Sequence, residues 1–179
     1  MRIRDGAPID AADLARIYNH YVLHSDATFD TVAVTVDDRR RWVEQFQPDG
    51  PHRLLVADDE RGTIGYAASL RYRDHPAFAR TVEFSIYLDP QATGRGVGTE
   101  LYAALVDHVR YQPVDVAVAG VALPNERSVA LHHRVGFIDV GVFSGYAIKA
   151  GRRISSLWLE RMISGAGRQA PSERARPSG

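Results

Sequence analysis

In the stretch TVEFSIYLDP, residues 81 to 90, Val82, Phe84, Ile86 and Leu88 alternate with Glu83, Ser85 and Tyr87. That is the period of a strand with two unlike faces. A lone glutamate in so apolar a strand is unfavourable unless it is paired or put to use. Burial lifts a carboxyl pKa toward the range useful in a general base. The alternative is an ion pair with Arg71 or Arg73 from the preceding segment. Ser85 and Tyr87 share the face of Glu83 and either hold a water or simply pack.

Downstream, Gly94, Gly96 and Gly98 lie between this strand and a helical pattern. Glycine admits positive φ and lets a ligand come close to the backbone. The unpaired N–H groups and the dipole of a helix N-terminus suit an anion, most often a phosphate, and Arg95 adds a mobile charge. A tight strand–helix connection is the plainer alternative. Val97-Gly98-Thr99-Glu100 is not the Lys-Ser/Thr of a Walker loop. The G-R-G-V-G spacing, late in the chain, is not a dinucleotide fingerprint either. Asp26 and Asp30 are rival carboxylates in a loop context that favours solvation or substrate ordering. His20 and His24 have the spacing of a metal pair, but no third ligand is evident and no metal site is expected.

The elements that must position these groups follow from periodicity. MRIR reads as an edge strand. Asp10 can cap a helix to about His24, and Thr35 a second one carrying Trp42, Val43 and Phe46 on one face. Segments 53–58, 63–73 and 81–89 read as strands, Gly96 to about Arg110 as a helix, and 114–122 as a buried strand. Asn125 caps a helix to about Val135, ended by Gly136, and two strands around KAGR close the chain. The order is β α α β β β α β α β β. Residues 164–179 lack large apolar side chains and read as a flexible tail after one domain, 1–163.

Composition excludes several classes. The 179 residues hold 22 Lys+Arg against 22 Asp+Glu, a balance that offers no general case for nucleic-acid or membrane binding. With no cysteine there is no disulfide, thiolate nucleophile or cysteine metal site. No secretory leader is visible in MRIRDGAPIDAADL, and a cytoplasmic setting is expected.

TGRGVG (93–98) and NERSVALHHRVGF (125–137) resemble the pyrophosphate loop and the later N-x-x-S/A block of the GNAT acetyltransferases, with Thr93 where Gln or Arg is usual. IYNHYV, ATFDT, LRYRDHPAF, TVEFSIYLDP and LHHRVGF, in that order, are similar to blocks of the phosphinothricin and methionine sulfoximine acetyltransferase group. Phe84 stands where that group usually has His, and KAGRRISSLW lacks its Trp and Asp. The resemblance implies a mixed α/β fold, a twisted and mostly antiparallel sheet of about seven strands flanked by about four helices. It implies acetyl-CoA as acyl donor, a small amino acid or analogue as amine acceptor, and a homodimer.

Carried over residue by residue, Glu83 is the implied general base and His132 the implied proton donor to the leaving thiolate. Ile86, Tyr87 and Leu88 offer backbone groups to the pantetheine, one N–H serving as oxyanion donor. Gly94, Arg95, Gly96, Val97, Gly98 and Thr99 take the pyrophosphate, and Asn125 and Ser128 flank the pantetheine. His132 as a packed helix histidine and Asn125 as a pure cap remain open alternatives, and His133 is expected to be exposed. Arg71 and Arg73 alternate with Leu70 and Tyr72, which puts both guanidinium groups on one face. They are expected to hold the acceptor's carboxylate or phosphinate beside Glu83, with Phe29 as a cover. Another amine (a protein N-terminus, a polyamine, an aminoglycoside) and a non-catalytic acyl-CoA sensor are the alternatives. The sensor would have no use for Glu83.

Overall fold

The computed structural model describes residues 1–163; the tail read at 164–179 lies outside them. Its elements are β1 (Arg2–Asp5), α1 (Ala11–His24), α2 (Val36–Val43), β2 (Leu54–Asp59), β3 (Gly62–Arg71), β4 (Thr81–Leu88), α3 (Val97–Val109), β5 (Val116–Leu123), α4 (Glu126–Arg134), β6 (Ile138–Lys149) and β7 (Arg152–Met162). The order matches the one expected. Thr35 caps α2 in a reciprocal box with Asp38. Asp10 does not cap α1 through its side chain. Its buried carboxylate accepts from the Ala7 N–H at 2.8 Å and from Arg4 at 2.7 Å.

The seven strands form one sheet in the order β1-β2-β3-β4-β5-β7-β6. Every neighbouring pair is antiparallel except β4 and β5. That parallel pair is short: Thr81, Val82 and Glu83 lie opposite Val116, Ala117 and Val118, and there the pairing stops. β4 stays paired with β3 as far as Leu88 opposite Gly65, and β5 stays paired with β7 as far as Leu123 opposite Ser155. The sheet therefore splits into two arms, a V whose apex is Glu83 and Val118.

Each face has its own core. On one, Leu101, Tyr102, Leu105 and Val109 of α3 pack on Val82, Phe84, Ala117, Ala119 and Leu159. On the other, Leu14 and Ile17 of α1 and Val43 of α2 cover Leu54, Val56, Tyr66 and Ala68. Each large aliphatic side chain among these, fully buried, contributes about 1.5–3 kcal/mol, so each arm is backed by its own packed core.

Candidate active site

Glu83 is the last paired residue before the arms part. Its cross-strand partner is Leu70, so its side chain leaves on the face covered by α1 and α2. It is half-buried, and burial alone pushes its pKa up. Among the described residues no ion-pair or hydrogen-bond partner meets the carboxylate, so the expected alternative of a pair with Arg71 or Arg73 is not what the structure holds.

From the apex a cleft of about 900 Å³ opens between the arms. Glu83, Tyr102 and His132 all line it, with Tyr102 in the core on the α3 side. The two rings form a buried pair, with Tyr102 Oη 3.0 Å from His132 Nε2 and His132 Nδ1 2.7 Å from the Ser128 carbonyl oxygen. A carbonyl only accepts, so Nδ1 carries the hydrogen and Nε2 accepts from the phenol. Burial lowers the His132 pKa and keeps the ring neutral, with His133 acting in the same direction. Within this pair the imidazole accepts and the Tyr102 hydroxyl donates. Burial, with the nearby Tyr87 hydroxyl and Glu83 carboxylate adding to it, raises the pKa of that phenol far above its ordinary value, so it stays protonated. Periodicity read Tyr102 only as part of a helix between Leu101 and Leu105; its contact with His132 is what marks it. His133 is exposed and meets Asp139 at 2.6 Å.

At the far end of the cleft the glycine turn has the geometry of an anion cradle. Gly94 (φ 76°) and Gly96 (φ 84°) occupy the left-handed region, and Gly96 is the N-cap of α3. Gly98 is closely packed: a Cβ there would lie 2.9 Å from Leu131 Cδ2 of α4, so the leucine tip would have to shift. The N–H groups of Val97, Gly98 and Thr99 are first-turn donors without helical acceptors, and all three residues line the cleft. Arg95 is turned away, its guanidinium 3.8 Å from Asp59 and outside the cleft.

Along β4, successive residues aim their backbone groups at alternate edges. The Asp89 N–H bonds Ile64 of β3, so Ile86 and Leu88 face the gap and Tyr87 faces β3. Tyr87 therefore does not offer its backbone to the gap as expected. The Leu88 carbonyl already accepts from the Tyr21 hydroxyl at 2.6 Å. Asn125 caps α4 by accepting from the Ser128 N–H at 3.2 Å, and both residues line the cleft.

The expected pair of arginines is separated. β3 ends at Arg71, which lies opposite core residue Val82 and hence on the face away from Glu83, and its guanidinium bonds Asp74 at 2.5 Å. Arg73 lies beyond the strand, 5.0 Å from the ring centroid of Tyr72 and 5.3 Å from that of Phe78, without an ion pair among the described residues. Tyr72 in turn meets Trp158 at 6.0 Å. Trp158 pairs with Gly120, and its indole would stand 3.3 Å from a Cβ there. Sequence reasoning missed this indole wall on the Glu83 face. Its only signal was a glycine in a buried strand. Phe29 is exposed and packs edge-on against Tyr146 at 5.9 Å, while its loop neighbour Ala27 lines the cleft. The rings of His20 and His24 are 5.2 Å apart, and no group of metal-ligating side chains occurs among the described residues.

The model of the acetyltransferase (GNAT) domain matches residues 7–138. A phosphinothricin N-acetyltransferase of Streptomyces coelicolor is 42% identical over 165 residues, covering 91% of this chain and 96% of the relative. An L-methionine sulfoximine/L-methionine sulfone acetyltransferase of Salmonella typhimurium is 35% identical over 163 residues, covering 91% and 95%. A solved phosphinothricin acetyltransferase of Sinorhizobium meliloti in complex with acetyl-CoA superposes with a TM-score of 0.87 at 28% identity, over 98% of this chain and 95% of that one.

Proposed function

Because the chain belongs to the GNAT acetyltransferases and so moves an acetyl group from acetyl-CoA to an amine, we propose that its acceptor is the α-amino group of a small amino acid or a close analogue of the phosphinothricin or methionine sulfoximine type. The observation that carries the proposal is the unpaired Glu83 carboxylate at the apex of the cleft. A non-catalytic sensor has no need of it. Ammonium groups are mostly charged at neutral pH. Glu83, its pKa raised by burial, takes the proton and frees the amine for direct attack on the thioester carbonyl. The C–N bond forms and the C–S bond breaks. A cleft-facing N–H of β4 receives the charge that grows on oxygen. The thiolate leaves as the anion, already a good leaving group, and the Tyr102 hydroxyl, swinging from His132 Nε2, gives it a hydrogen bond while keeping its proton. The first turn of α3 holds the pyrophosphate, and Asn125 and Ser128 flank the pantetheine.

We assign the acceptor's acid group to Arg73 rather than to Arg71, which is already paired with Asp74. Arg73 has no carboxylate partner among the described residues and is held by rings that continue into the Trp158 wall. The test compares a free amino acid with its amide. Losing the charge should lower kcat/KM by about 1.5–3 kcal/mol, roughly ten- to a hundredfold. Arg73→Ala should erase the preference while Arg71→Ala keeps it. Equal turnover of acid and amide by the unaltered enzyme would point to another amine.

β6 supports a second element of the reading, a homodimer. It is an edge strand that exposes Ile138, Val140, Val142, Phe143, Tyr146 and Ile148. Long apolar edges invite pairing, and a second copy offers a self-complementary one. No helix among the described residues is long and apolar enough to cross a membrane. A cytoplasmic setting, where acetyl-CoA and free amino acids meet, belongs to the same proposal.

A further inference from the structure

Lys149, the last residue of β6, buries its ammonium with no carboxylate partner among the described residues. Only 6% of the residue is exposed, and Nζ donates to the backbone carbonyls of Ser25 at 2.7 Å and Thr28 at 2.8 Å. Ser25 is the C-cap of α1, where the helix dipole and free carbonyls favour a cation. Ala150 (φ 47°) and Gly151 (φ 76°) make the tight positive-φ turn that places Lys149 opposite Arg152. Arg152 bonds Asp26 of the same loop at 2.7 Å. The tip of the β6–β7 hairpin thus grips loop 25–31 at several points.

The loop is also anchored to the other arm of the sheet. Tyr18 bonds the Thr28 hydroxyl and the Asp30 carboxylate, each at 2.7 Å, and its ring meets Tyr87 of β4 edge-on at 4.9 Å. β4 is one arm of the V, and the hairpin belongs to the other. Loop 25–31 therefore bridges the open ends of the arms on the face where Glu83 emerges, and Ala27 lines the cleft.

We propose that Lys149 is a positioning residue. Its ammonium fixes the loop that spans the two arms, and so sets the width of the opening through which the acceptor reaches Glu83. This rests on the reading that the acceptor approaches from the α1/α2 face. An ammonium bonded to two carbonyls of one short loop holds a main-chain path, which sets an aperture more closely than a side-chain contact does.

Lys149→Met keeps the stem and removes the donors. In the full-length enzyme it should raise the acceptor KM tenfold or more, with kcat changed less than threefold and the acetyl-CoA Kd less than twofold. Acceptors with bulky side chains should gain in kcat/KM relative to small ones. Lys149→Arg, which can still donate to both carbonyls, should restore most of the KM. Hydrogen exchange should speed up at the amides of residues 25–31 in Lys149→Met while those of β4 stay protected. Unchanged KM and selectivity, or KM, kcat and Kd shifting together, would overturn the proposal. If Lys149→Met does not fold, Asp26→Asn with Arg152→Gln loosens the same bridge from outside and must move acceptor KM in the same direction, or the proposal fails. The exchange measurement needs no acceptor, and Glu83→Gln is assayed alongside. Loss of the base reading would show as full activity of Glu83→Gln, whatever Lys149 does.

Discussion

A carboxylate that is half-buried and unpaired carries its history in its titration. Glu83 must be ionised to accept a proton, and burial holds its pKa above the ordinary carboxylate range. The acid limb of kcat/KM should therefore lie above that range and vanish in Glu83→Gln, whose rate should fall by about 10²–10⁴ while acetyl-CoA still binds. A folded variant with full activity at every pH would remove Glu83 from the mechanism. Stability carries the complementary sign. The folded pKa is raised, so the ionised form destabilises the fold above that pKa, and the penalty is absent below the unfolded value, where both states are neutral. Glu83→Gln should then melt no lower than the parent at pH 8, and any gain should shrink on acidification. Glu83 was legible because alternation isolates one acid among Val82, Phe84 and Ile86. The arginines were misread because alternation says that two residues share a face but not which one. The register that sets Leu70 against Glu83 turns Arg71 away. Tyr102 had no signal at all, since a helix aromatic between core leucines looks the same whether or not a histidine binds it.

At the scale of elements, the glycine turn joins two requirements that different substitutions separate. Gly96 has φ 84° and open space where a side chain would go, so Gly96→Val strains the backbone that aims the first-turn N–H groups of α3. It should weaken acetyl-CoA binding tenfold or more by calorimetry, with acceptor selectivity unchanged. Gly98→Ala meets the tip of Leu131 at 2.9 Å instead, which a rotamer shift relieves, so it should change the melting temperature little and leave acetyl-CoA binding closer to the parent than Gly96→Val does. Unaltered acetyl-CoA affinity in Gly96→Val would move the pyrophosphate elsewhere. The order and type of the elements were legible because each has a clean period and a cap such as Thr35 or Asn125. The splitting of the sheet was not. β4 and β5 read as ordinary buried strands, and nothing in either says that their pairing ends at Glu83 and Val118.

At the scale of the whole molecule, the exposed apolar residues of β6 should make this chain a dimer by sedimentation at micromolar concentration. A charge placed at Val142 or Ile148, both exposed in the single chain, should yield monomers. A monomeric parent protein would refute the pairing. The strand order holds one more consequence. Among the described residues β7 is the last strand made, yet it lies inside the sheet, between β5 and β6. During synthesis β5 therefore keeps an open edge, and β6 has no neighbour in this sheet until residues 152–162 leave the ribosome. A stop codon that removes even this one strand would cost two, leaving a nascent chain with the antiparallel edge of β5 bare and β6 as a greasy loose ribbon. Ribosome stalling or premature termination in the last tenth of the described chain should send the product to chaperones and proteases rather than yield a slightly shorter enzyme.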